Sequence, residues 1–239
     1  MTRFLAAYKR EFRVYLYSSH GWIPGIIMLV VPVMNQFRFG AFMQTGIMDL
    51  SRLSSSWIAV LSLTVPALTM RSFSEEYRTG ADLLLRTLPL SPSVTVLSKA
   101  TAVLSFIVVF LLLDLVVPLS MSLMGTVEAG LILVRFTGLI MVSMVLVALG
   151  VCVSSMTDSQ IVALMCSIVF FSVLSYADSV GGALGVDGTI VRLARQISLD
   201  YRHAPFVQGL VDGNAILYFF GMTAVLLRVA VHGYVSRGY

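Results

Sequence analysis

The stretch SFIVVFLLLDLVVPL, residues 105–119, limits what this chain can fold into more than any motif in it. It is apolar all round, with no alternation and a single carboxylate, Asp114. A segment of that kind satisfies its backbone polar groups as a helix in hydrocarbon, where water cannot do so. It is one of a set. Apolar spans recur near residues 22–37, 54–71, 97–121, 131–153, 160–180 and 214–235. Each approaches the roughly 20 residues that carry a helix across a ~30 Å hydrocarbon core. Pro24, Pro32, Asn35 and Gln36 interrupt the first span, which a bundle tolerates if neighbours satisfy the freed backbone groups.

These spans predict an all-α integral membrane protein with six transmembrane helices in one domain over residues 1–239, leaving no room for a separate soluble domain. A helical bundle is strongly preferred over a β-barrel, because barrel strands alternate and are about half as long. Composition agrees: 58% of residues are hydrophobic and 12% charged, against about 25% charged in a soluble domain. The net charge of +4 therefore reports orientation rather than nucleic-acid affinity. With both termini inside, Arg3, Lys9, Arg10, Arg13, Arg71, Arg78, Arg86, Lys99 and Arg237 are cytoplasmic. Arg38, Arg52, Arg192, Arg195 and Arg202 then lie outside, a nine-to-five balance in favour of this orientation. Cys152 and Cys166 both fall within spans and read as small buried apolar residues. His20, His203 and His232 are scattered, so neither a disulfide framework nor a metal site is expected.

Residues 1–20 carry charge throughout and lack the compact apolar core of a signal peptide. Phe4, Leu5, Tyr8, Phe12, Tyr15 and Leu16 share one helical face, and Arg3, Lys9, Arg10 and Arg13 the other. This predicts an amphipathic helix either lying in the headgroup plane or packed on its own bundle.

The apolar pattern breaks at residues 72–92, SFSEEYRTGADLLLRTLPLSP. Ser72 and Glu75 have the spacing of a capping box, so a helix is expected to start there. Gly80 weakens its centre, Asp82 and Arg86 form an i,i+4 pair, and Leu84, Leu85 and Leu88 give an apolar face. Pro89 and Pro92 are expected to stop it. These local features fit a force-transmitting surface helix and a merely capped loop equally well.

The run from Arg71 to Gly80, with Leu83-Leu84-Leu85 and Leu88-Pro89-Leu90-Ser91 after it, resembles the loop after the second helix of ABC-2 type permeases. The resemblance is closest to the gliding-motility (GldF-like) and copper-maturation (NosY-like) branches. A second match is Phe206-Val207-Gln208-Gly209-Leu210-Val211-Asp212, with Tyr218-Phe219 beyond. Ala81 stands where the family commonly has threonine. The resemblance implies that residues 72–92 are a coupling helix seated in a groove of a cytoplasmic ATPase. Glu75 and Glu76 would be its acidic handle, Arg78 a counter-charge and Gly80 the bend, with Tyr77 and Asp82 in the same coupling set. It also implies short outer helices between the last two spans, and pairing with a second copy or a sibling permease in a bacterial inner membrane. An auxiliary membrane or outer subunit is a further partner it allows.

No G-x-x-x-x-G-K-[ST] stretch occurs, so ATP and its magnesium belong to a partner subunit and no cofactor is expected here. The glycine-rich GGALGVDGT at 181–189 lacks the lysine and reads as an outer loop, with Asp187 or Thr189 capping the next helix. Within 184–213, Ile190, Leu193, Ala194 and Ile197 face one way and Arg192, Arg195 and Gln196 the other, as in a helix on the outer leaflet. The serines at 54–56 are expected to cap a span, their alternative being ligand contact. Asp114 and Arg135 lie at similar depth on either side of a turn near Gly125, which predicts a direct pair across that hairpin. Arg228 is placed to snorkel to the inner headgroups. No nucleophile–base–orienter set is present, so the chain is not read as an enzyme. The expected function is a permease subunit of an ATP-driven exporter. The alternatives are a complex that transmits work to an outer partner, a secondary transporter and a membrane enzyme.

Overall fold

A computed structural model describes residues 2–39, 50–81, 91–122, 129–177 and 195–237. The described residues are helical, without strands. In chain order the helices are α1 (Thr2–Tyr17), α2 (Ser19–Phe39), α3 (Leu50–Thr69), α4 (Ser74–Thr79), α5 (Pro92–Asp114), α6 (Val116–Ser122), α7 (Ala129–Met156), α8 (Gln160–Ser175), α9 (Leu199–Val207) and α10 (Gly213–Ser236).

Four stretches, Arg52–Thr79, Pro92–Leu119, Ala129–Met156 and Gly213–Ser236, are each long and apolar enough to cross a membrane. The α1–α2 pair, bent by 71°, makes a fifth if counted as one broken span. The apolar α8, with 16 residues, is shorter. The surface is that of a protein in lipid. Ile161 (70% exposed), Val169 (61%) and Val173 (63%) project from α8, and Leu217 (73%) from α10. Such a face in water would be an aggregation site.

α7 is the central post. It packs against α3, α5, α8, α9 and α10, and most of its side chains are buried. Small residues permit this closeness: a Cβ on Gly150 would lie 2.0 Å from Thr69 Oγ1 of α3. Close backbone approach through small residues is how helices gain packing energy in lipid. Trp57, Leu61, Phe106, Ile107, Leu111, Leu139 and Leu146 fill the core around this post.

Helix directions follow from contacts at the two ends of the bundle. Asn35 donates to Ser56 at one end (2.5 Å) and Arg71 meets His20 at the other, so α2 and α3 are antiparallel. Arg237, just past α10, pairs with Asp158 beside the C-terminus of α7. Its guanidinium also lies 5.1 Å from the Tyr77 ring of α4. The start of α2, the end of α10 and α4 therefore share one end of the bundle, the corner end. α9 lies at the far end.

Several expectations are corrected. The buried face of α1 carries Tyr8, Glu11, Phe12 and Tyr15 against α5, while Leu5 and Leu16 are exposed. α1 thus packs on the bundle, one of the two arrangements expected for it. α4 does not use a capping box: it starts at Ser74, and Phe73 at the cap position makes no side-chain cap bond. Pro92 is the first residue of α5 after an extended Ser91, where its missing N–H costs no helical bond; the helical piece it was expected to stop lies outside the described residues. The span expected at 97–121 is the stretch Pro92–Leu119, with α5 passing into α6 through the single residue Leu115. The serines at 54–56 lie inside α3, not at its cap. Asp82, Leu84, Leu85, Arg86, Leu88, Pro89, Gly125, Asp187 and Thr189 lie outside the described residues. So do Ile190, Arg192, Leu193 and Ala194. The described part of that expected helix, residues 195–197, is helical, and a further helix, α9, follows it with Ser198 as its cap accepting from Tyr201 N–H (3.3 Å).

Candidate functional site

At the corner end the chain leaves α3 through a turn and enters the two-turn α4. The turn needs its backbone donors satisfied away from water, and α7 supplies the means. Ser154 Oγ accepts from the N–H groups of Phe73 (3.1 Å) and Ser74 (3.3 Å) and donates to the Met70 carbonyl (3.1 Å). One hydroxyl thus does the work that a cap does elsewhere. Phe73, fully buried, anchors the turn between the rings of Tyr77 (6.2 Å) and Tyr234 (5.3 Å). Gly80 closes α4 in the left-handed region at φ 71°, where a side chain would be strained.

Beneath α4 lies an ion cluster. Lys99 of α5, its side chain 3% exposed, donates to Glu76 Oε1 at 2.6 Å and lies 3.5 Å from Glu11 Oε1 of α1. Arg10 adds a contact to Glu11 (2.5 Å) and a longer one to Glu76 (3.8 Å). The Lys99 ammonium also sits 5.0 Å from the centre of the Phe73 ring. Two carboxylates and two cations balance, which is the condition for holding charge out of water. Helices α1, α4 and α5 are locked together through Lys99.

This divides the expected coupling set. Glu76 is spent on Lys99 and is not an outward handle. Tyr77 also turns inward, its hydroxyl 3.4 Å from the Ser155 carbonyl. Glu75 is on the outer side, its side chain 41% exposed and 3.9 Å from Arg71. Arg78 and Thr79 are exposed, and Gly80 is half-buried. Asp82 is among the residues not described. Beside Glu75 a groove of about 860 Å³ opens between α1 and the corner, edged by Arg10, His20, Arg71 and Glu75.

The expected Asp114–Arg135 pair is not formed. Asp114 Oδ2 accepts from Trp57 Nε1 of α3 at 2.6 Å, whereas Arg135 lies near His203 of α9. Counting residues from a turn gives depth in the bilayer. It does not give the rotation of each helix, and here the two side chains meet different neighbours. Arg228 is exposed on α10, and Cys152 and Cys166 are free thiols. Among the described residues no cluster of His, Cys, Asp or Glu could hold a metal ion.

The second family-like run does have a visible structural part. Phe206 is fully buried between Gly138 and Phe219. Gly209 takes φ 81°, and Asp212 caps α10 by accepting from Asn214 N–H (3.0 Å).

Sequence reasoning missed Glu11, Ser154 and Phe73, and read Lys99 only as a marker of orientation. Glu11 left a signal: it is the sole acidic residue before Asp49, and it lies four residues after Ala7 and four before Tyr15, on the apolar face. A carboxylate there requires a buried cation. Ser154 left none, because serines are common in these spans.

Comparison of the chain with family models and with curated proteins returned no match.

Proposed function

We propose that this chain is a permease subunit of an ATP-binding-cassette exporter of the ABC-2 type, with α4 as its coupling helix. In this reading α2, α3, α5, α7, α8 and α10 are the six membrane spans, and α1 lies at the inner surface. The corner end faces the cytoplasm of a bacterial inner membrane. The ATPase is a separate subunit that supplies Mg-ATP, and a second permease copy or sibling completes the pathway.

One observation carries the reading. α4 is a short helix with a polar outer face, Glu75, Arg78 and Thr79, whose inner face is bolted to three other helices by Lys99, Phe73 and Ser154. A merely solvated loop needs no such bracing. A lever does, because force applied to its outer face must reach the spans without being lost in local bending.

The division of the two glutamates sets the experiment. Glu75→Lys, on the outer side, should abolish co-purification with the ATPase subunit while the permease itself stays folded. Intact assembly and normal ATP turnover in that variant would reject the coupling role. Reversal at Glu76 is a poor test, since it would disrupt the Lys99 cluster whatever α4 binds.

A further inference from the structure

At the far end, α3, α8 and α9 enclose a cavity of about 510 Å³, a size typical of small-molecule sites. Its lining is unlike the rest of the bundle. Ser62 of α3, Ser172 and Ser175 of α8, and Asp200 and His203 of α9 bring polar groups into an otherwise apolar molecule. Ile58, Phe171 and Val207 supply an apolar wall.

Two of these residues are buried without being satisfied. Ser175 and His203 are each 2% exposed, and Ser175 Oγ and His203 Nε2 have no hydrogen-bond partner. A buried polar atom left alone costs about 1–3 kcal/mol, so two on one cavity are the mark of a site awaiting a polar occupant. Burial, and then the nearby Arg135 charge, hold His203 down to about 4, so it is neutral near pH 7.

We propose that this cavity binds the hydroxyl-rich, uncharged headgroup of an amphiphile, of the glycoside type. The reasons lie in the donor–acceptor balance. Ser62 and Ser172 give their own protons to the Ala59 and Ile168 carbonyls (2.6 and 2.8 Å). They therefore face the cavity as acceptors, while the Gln208 amide both donates and accepts, so the matching group is one that does both, as a hydroxyl does. Among the described lining residues there is one carboxylate and no lysine or arginine, which disfavours a phosphate or sulfate group. The polar groups come from α3, α8 and α9 and its cap, which suits several separated hydroxyls better than one ammonium. Tyr176, which lines the cavity just past the end of α8, is exposed and marks the opening through which an alkyl chain would leave. The site is independent of α4 and of any ATPase.

The test uses the full chain in phosphatidylcholine nanodiscs, purified without glycosidic detergent and titrated by calorimetry. The probes are octyl maltoside below its micelle concentration, a chain-matched octyl oligoethylene ether and octyltrimethylammonium. Octyl maltoside should bind saturably, and the ether should not. Ser175→Val should weaken maltoside binding by about tenfold, worth roughly 1.4 kcal/mol, and Ser175→Thr should restore it. If Ser175→Val fails to fold, the half-buried Ser62→Ala serves, with a smaller weakening in the same direction. Equal binding of ether and maltoside, or unchanged affinity in the variants, would overturn the proposal. So would tighter binding of the ammonium probe that is lost in Asp200→Asn. Loss of ATPase coupling in Glu75→Lys with maltoside binding intact would separate this site from the coupling reading.

Discussion

The two ends of the bundle handle buried polarity in opposite ways. At the corner end, Glu11, Glu76, Lys99 and Arg10 neutralise one another, and one serine hydroxyl serves two buried amides and a carbonyl. At the far end, Ser175 and His203 keep buried polar atoms without partners. The first arrangement balances its charges and behaves as a brace, although Ser72 Oγ and Glu76 Oε2 there also lack hydrogen-bond partners. The second leaves a serine hydroxyl and a neutral imidazole nitrogen unpartnered beside a cavity. The contrast is between charges that neutralise one another within the fold and uncharged polar atoms left open to an occupant.

That contrast fails first at Lys99 if it fails at all. Lys99→Met leaves two buried carboxylates facing each other with only Arg10 between, and should destabilise by about 3–5 kcal/mol, read as a large drop in unfolding midpoint in nanodiscs. A midpoint near the parent's would show that the cluster is solvated and no brace. Ser154→Ala removes the acceptor of two buried amides, and a loss of about 1–3 kcal/mol is expected.

At the far end the effect is a slope. His203 has a pKa of about 4 in the folded protein against an ordinary 6.5. Between those values the unfolded chain binds a proton that the folded chain does not, so stability falls as pH drops from 6.5 towards 4. The slope is at most about 1.4 kcal/mol per pH unit, and His203→Phe should flatten it. An unchanged slope in that variant would place the acid sensitivity elsewhere.

The smallest effect concerns the two charges at membrane depth. Asp114 bonds to Trp57, and Arg135 lies near His203. A double-mutant cycle between Asp114 and Arg135 should give a coupling energy within about 0.5 kcal/mol of zero. A larger coupling would restore the hairpin pair that residue counting suggests.

Much of the architecture is legible in the sequence because hydrocarbon leaves few options. The runs around residues 131–153 and 214–235 became α7 and α10 with ends shifted by a few residues, since nothing but a helix satisfies those backbones. The break at residues 72–80 was legible too, from its charges. Its internal wiring was not. Glu75 and Glu76 are neighbours of the same type, yet one faces out and the other meets Lys99, 23 residues on. The Ser72–Glu75 spacing suggested a local cap, but a serine 80 residues further along the chain took that part. The cavity is harder still, because its serines come from separate spans, each of which reads alone as an ordinary helix.

The order of residues along the chain is enough to specify the material of this protein: apolar helices, their approximate limits, and the polar turn that breaks them. It suffices because hydrophobic run length and proline and glycine placement act locally. Packing in three dimensions sets the rotation of each helix about its axis, and with it which of two adjacent glutamates is buried, what Asp114 touches, and which serines meet. Spacing gives a residue's height along a helix, but its direction depends on neighbours far away in the chain.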